Sequence, residues 1–182
     1  LVIDELVKRR LDATNRKTAV NAQLRKAVDV STRLVLPAER ILGGQLSAWN
    51  TGTAAESNQL DPGQVELAQD IIGLMPQIEL LNKIGVLGAA LQNVSEAQSA
   101  EEIDVLAFSL ERAIREVEDL VQAAPAHAQA RLLKQVELLR SSSMGGGGLP
   151  ELRKLELKLI AEAEAALRVN AEVSQGLTGT VD

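Results

Sequence analysis

The stretch Ile103–Pro125, IDVLAFSLERAIREVEDLVQAAP, decides how this chain is read. Ile103, Leu106, Leu110, Ala113, Val117, Leu120 and Ala124 recur at alternating spacings of three and four. That is the period of an α-helix seating one apolar seam against neighbours, and the regularity is of coiled-coil grade. Charged residues flank the seam: Glu111, Arg112, Arg115, Glu116, Glu118 and Asp119. Upstream, Ser99 followed by Glu102 is a capping-box pair that starts a helix. Pro125 interrupts the seam, and Leu132, Leu133, Val136 and Leu139 resume it.

Working outward, the same period organises the rest of the 182 residues. A first stretch over about residues 3–46 carries Val7, Leu11, Leu24, Val28, Leu34, Val35, Ile41 and Leu42, with Pro37 as a kink. Its segment 12–23, DATNRKTAVNAQ, places Thr14, Thr18 and Asn21 where apolar seam residues would continue. The turn formers of NTGTAAESNQLDPG (50–63) end it, and Asp61-Pro62 reads as an N-cap with the first helical residue. A second stretch, about 62–94, repeats Leu67, Ile71, Leu74, Ile78 and Leu81, then Ile84, Leu87 and Leu91. Pro76 is expected to kink it, and Gly85 and Gly88 to admit a close neighbour. The third stretch is taken as 101–140 and the fourth as 150–177, with Pro150 well placed near a helix start. Between them, Gly145–Gly148 suits a hairpin tip, since helix propensity disfavours glycine elsewhere. An introduced linker would be equally at home there.

The expected fold is all-α, an antiparallel up-down-up-down four-helix bundle of long helices forming a single domain over 1–182, with more than roughly 70% helix. An even number of antiparallel helices brings both termini to one end. Composition agrees: apolar residues make up 46%, yet aromatics only 1%, so the core is aliphatic. The net charge of −6 argues against nucleic acid as a partner. Without cysteine there is no disulfide or thiolate metal site. No run of about 20 apolar residues suggests a membrane span inside the chain. The start at Leu1 rather than Met reads as excision from a longer protein, which leaves spans beyond either end open.

Chemistry is sparse. His127 is the sole histidine and reads as solvated. The glycine run lacks the Lys and Ser/Thr of a phosphate loop. No Glu-x-x-His pair exists to build a metal site in a bundle core. No catalysis, cofactor or metal is therefore expected. Arg33 and Arg40, seven apart, share a helix face and can clasp a ligand carboxylate, or simply make surface ion pairs. Trp49 either caps the core or anchors a partner. Asn170 stands in an apolar seam of the last helix, where a buried amide fixes register, or it simply faces water. With Thr14, Thr18 and Asn21 opposite, it is expected to form a weakly packed level that leaves two registers close in energy.

Residues 149–177, LPELRKLELKLIAEAEAALRVNAEVSQGL, resemble the final helix of the periplasmic sensor regions of TorS-type histidine kinases. The matching positions are Leu149, Leu152, Arg153, Glu156, Leu157, Leu167, Asn170, Leu177 and Val181. Residues 99–121 resemble the preceding helix of that family. The resemblance implies an extracytoplasmic sensor module of an inner-membrane two-component kinase, pairing as a parallel homodimer. It implies signalling by helix displacement into flanking membrane spans. It also implies input through a periplasmic binding protein or by direct binding of a small molecule, as in the related helical bimodular chemoreceptor sensors. A chemoreceptor sensor, or a cytosolic scaffold or adhesion module of similar helices, is the alternative.

Overall fold

The structure, a computed structural model, describes residues 2–52, 62–144 and 147–178. Among the described residues it is all-α, as expected, and 94% helical. The elements are α1 (Val2–Val35), α2 (Pro37–Gly52), α3 (Pro62–Glu96), α4 (Ala100–Asp119), a 3-10 turn over Val121–Ala123, α5 (Ala126–Met144) and α6 (Leu149–Thr178). Asp61, Gly145, Gly146 and Val181, which figure in the sequence reading, lie outside the described residues, as do the side chains from residue 174 onward.

The first break follows from Pro37. A residue before proline is pushed out of the helical region, and the ring removes a donor. Even so, Leu36 N–H still donates to the Thr32 carbonyl at 2.8 Å, and Glu39 N–H to the Leu36 carbonyl at 3.1 Å. The course therefore continues from α1 into α2 along α3. Gly88 of α3 stands against Val28, and Asp70 against Gln45 at 3.4 Å. The numbers rise on one side as they fall on the other, so the two courses are antiparallel. Pro76 does not end α3, which continues through it. Gly88 is the close approach: an added Cβ would lie 3.3 Å from Val28 Cγ1. Gly85 was expected to share that role but has nothing within 4 Å.

Ser99 caps α4 as read: its Oγ accepts from Glu102 N–H at 3.1 Å. The carboxylate of Glu102 accepts from Gln98 N–H at 2.7 Å, one residue before the usual partner. The third stretch is not one helix. After the 3-10 turn Ala124 is extended (φ −69°, ψ 152°), as a residue before proline must be. The chain then reverses. Gln129 donates back to the carbonyls of Gln122 and Ala124, and Arg140 reaches Glu118.

The glycine run is not at a hairpin tip either. Arg140 of α5 pairs with Glu118, and Lys154 of α6 pairs with Asp104 at 2.6 Å. From 140 to 154 on one side and from 118 to 104 on the other, both intervals are 14 residues. So α5, to Met144, and α6, from Leu149, follow one course down α4. Gly147 has φ +94°, a left-handed backbone that glycine adopts without strain. The Gly148 carbonyl accepts the first bond of α6, from Leu152 N–H.

One core joins these elements: Leu24, Ala27 and Val35 of α1; Leu80, Ile84, Leu87, Leu91 and Val94 of α3; Leu110, Ala113, Ile114 and Val117 of α4; and Leu132, Val136 and Leu139 of α5. Beyond it α2 lies beside the first half of α3, and the first half of α1 beside α6. Apolar side chains are exposed on both pairs: Ile41, Leu46, Val65, Ile72 and Met75 on one, Val7, Leu11, Leu167, Val169 and Val173 on the other. Among the described residues, α3 is the one helix long and apolar enough to cross a membrane. The sequence reading found no such span. Five residues of α3 are buried in the core, yet only 17% of its most apolar window is buried, so most of its apolar content stays exposed or half-buried.

Candidate functional site

The most organised polar site lies where α1, α6 and the end of α3 meet. The buried positions of α6 are Leu149, Pro150, Leu152, Glu156 and Leu159, and in the run Leu149, Leu152, Glu156, Leu159 a carboxylate occupies a seam position. Glu156 Oε1 accepts from Thr14 Oγ1 at 3.1 Å. Its Oε2 pairs with Lys17 Nζ at 2.6 Å and also accepts from Arg153. Arg153 Nε donates to the Ala97 carbonyl at 2.8 Å, and Asn21 Nδ2 to Ser95 Oγ at 3.1 Å. Thus α6 is tied to α1 by Glu156 and to the end of α3 by Arg153, while Asn21 ties α1 to α3.

The site is largely dry. Side-chain exposure is 8% for Glu156, 14% for Lys17 and 15% for Arg153. Burial pushes the Glu156 carboxyl up, but hydrogen bonds from Lys17 and Arg153, the Lys17 charge and the Thr14 hydroxyl outweigh it. They hold the group below its ordinary 4.5. Glu156 is therefore ionised at neutral pH, one anion between two cations. Its side-chain partners among the described residues are the Thr14 hydroxyl and the Lys17 and Arg153 cations. What the arrangement supplies is a tie between α6 and α1: a buried ion pair adds little net stability, yet breaking it is costly.

The residues singled out from sequence fare differently. Thr14 belongs to this site, as does Asn21 through its bond to α3. Thr18 instead donates to the Thr14 carbonyl of its own helix at 2.8 Å. Asn170 does not face them. It lies 14 residues beyond Glu156, about 21 Å along the helix. It is exposed in a shallow groove of about 450 Å³ with Ile3, Ala165, Ala166, Val169 and Val173. Arg33 is taken up by Asp29 one turn earlier, at 2.9 Å, with both side chains exposed, and Arg40 is exposed on α2. Trp49 does not cap the core. It is half-buried in a groove of about 260 Å³ between α2 and α3, beside Leu46, Ala68, Ile71 and Ile72. His127 is exposed at the start of α5. Among the described residues no group of three His, Asp or Glu is placed to hold a metal.

A cleft of about 390 Å³ between α4 and α5 is lined by Glu111, Ile114, Arg115, Arg140 and Met144. Its two arginines are already paired with Glu111 and Glu118. Sequence reasoning missed Glu156, Lys17 and Arg153 as a unit. The signal was the carboxylate in the three-four-three spacing of Leu149, Leu152, Glu156 and Leu159, with an arginine three residues earlier. Comparison with family models, with curated proteins and with solved structures finds no match for this chain.

Proposed function

We propose that this chain is an extracytoplasmic sensor module of a membrane receptor of the TorS-like histidine kinase type, without catalysis of its own. Its centre is read as an antiparallel up-down-up-down four-helix bundle formed by the second half of α1, the second half of α3, α4 and α5. The observation that carries the reading is that Ile3, near the start of α1, lines the same groove as Val169, Asn170 and Val173, near the end of α6. An insertion between two membrane spans needs its entry and exit side by side.

The signal on this reading is a displacement of α6 against α1, with the Glu156 site setting the resting register. Two copies pair in parallel through the α1–α6 arm. Exposed Val7, Leu11, Leu167 and Val173 supply the apolar face. The Lys8-Arg9-Arg10 run of α1 meets Glu162 and Glu164 of the partner's α6.

The test is the full-length gene. Apolar segments of about 20 residues flanking this region, with a kinase beyond the second, are expected; a gene lacking them overturns the reading. Pairing is tested separately by oxidising a Val7→Cys variant in a chain that has no native cysteine. A covalent dimer is expected, and a persistent monomer removes the dimer.

A further inference from the structure

The opposite end of the molecule carries a second surface, whose argument is independent of the receptor reading. Leu46, Trp49, Ala68, Ile71 and Ile72 form an apolar groove between α2 and α3. Val65 and Met75 continue it along α3, and Ile72 is 68% exposed. The lining carries no charge, and the Trp49 indole N–H is its one side-chain polar group, too little to select a small polar ligand.

Helical spacing places two charges at one end of the groove. Glu39 lies seven residues before Leu46 and Glu79 seven after Ile72, so each shares the face of its groove residue. Because α2 and α3 are antiparallel, both glutamates fall at the end nearer the core. Both are exposed, and neither forms an ion pair among the described residues. Arg40, the single base on α2, is turned about 100° from Glu39. A second copy of this arm laid alongside in parallel would set glutamate against glutamate.

We propose that the α2–α3 groove docks an amphipathic helix of a partner protein, with apolar side chains at i, i+3 and i+4 seated over Trp49 and Ile72, and Lys or Arg at the helix end that meets Glu39 and Glu79.

Trp49 is the sole tryptophan, so its emission reports the groove directly. The probe is a synthetic Leu/Ala/Gln helix of about five turns carrying three Lys at one end, compared with the same helix carrying three Glu. The Lys peptide is expected to shift Trp49 emission to the blue saturably, and to bind about tenfold more tightly than the Glu peptide. A Glu39→Gln/Glu79→Gln double variant should bind both peptides alike, and Ile72→Asp, at an exposed position that leaves the circular dichroism unchanged, should bind neither. The proposal is overturned if neither peptide shifts the emission, if both bind the native chain equally, or if the preference survives in the double variant. It is equally overturned if the shift appears with protein concentration alone, which makes a second copy the occupant, or with phosphatidylcholine vesicles alone, which makes the groove a membrane face.

Discussion

The middle of the molecule and its two ends are built from the same kind of sequence and end in opposite states. In the middle, Leu87 and Leu91 of α3 are almost wholly buried, because α1, α4 and α5 close around them. At the ends, Leu167 of α6 and Ile72, on the same helix as Leu87, are 55% and 68% exposed. Two helices cover only one side of each other, and the same stripe needs further partners before it is out of water. Periodicity thus announces an apolar face without saying whether this chain supplies everything that covers it.

The sharpest way to break this comparison is a matched pair of truncations. Leu87→Ala should cost about 3 kcal/mol, the range for an enclosed leucine. Leu167→Ala should cost less than about 0.5 kcal/mol in dilute monomer. Urea unfolding of both variants checks the pair, and equal losses would mean that the ends are as well packed as the middle.

The next effect lies at the junction. Glu156→Ala leaves Lys17 and Arg153 facing each other with no anion. The loss should be about 2 kcal/mol, below that for a fully dry pair because both cations keep some exposure. The pH dependence has a definite sign. A carboxyl held below its ordinary value contributes stability above about 4.5 and loses it as pH falls through its folded-state value. Melting temperatures of native chain and Glu156→Gln should therefore converge as the solution is acidified below 4.5. Curves that stay parallel throughout would show that the site does not couple to folding.

Smaller still is a pair of glycine substitutions on one helix. Gly85→Ala has open space and should gain up to about 1 kcal/mol of helix propensity. Gly88→Ala should gain less or nothing, since its new Cβ crowds Val28, a branched side chain with one favoured rotamer in a helix. Smallest of all is Asn170→Leu, which should leave monomer stability within about 0.5 kcal/mol. It enlarges the apolar face of the α1–α6 arm, so any effect should appear as tighter self-association in sedimentation.

The sequence made some of this legible through residues whose local chemistry is decisive. Ser99 and Glu102 mark the start of α4, Pro37 marks the break after α1, and the α4 seam names its own buried face. The reversal at Pro125 stayed hidden because the 3-10 turn keeps Val121 and Ala124 in phase with Ala128 and Leu132. A linear pattern continues across a bend that folds the chain back. The glycine run misled for the converse reason: a break in helix propensity says that a helix ends, not that the chain turns. Glu156 was masked by its type, since a glutamate reads as surface until its partners on a distant helix are known.

The unequal continuity of the two helices at the α1–α6 end has a mechanical consequence. Helix α1 runs unbroken from that end into the core, whereas α6 begins at the core's edge, held there by Leu149, by Arg153 on Ala97 and by Glu156 on Lys17. A force drawing the two chain ends apart would peel α6 from α1 turn by turn, meeting little resistance over the exposed stretch from Val173 back to Leu167. The load would then concentrate on the salt-bridged level. A pulling trace should show a low plateau followed by one abrupt rise, with the rise removed in Glu156→Ala. The arm behaves as a compliant lead, and the charged level as the catch that decides when strain enters the body of the molecule.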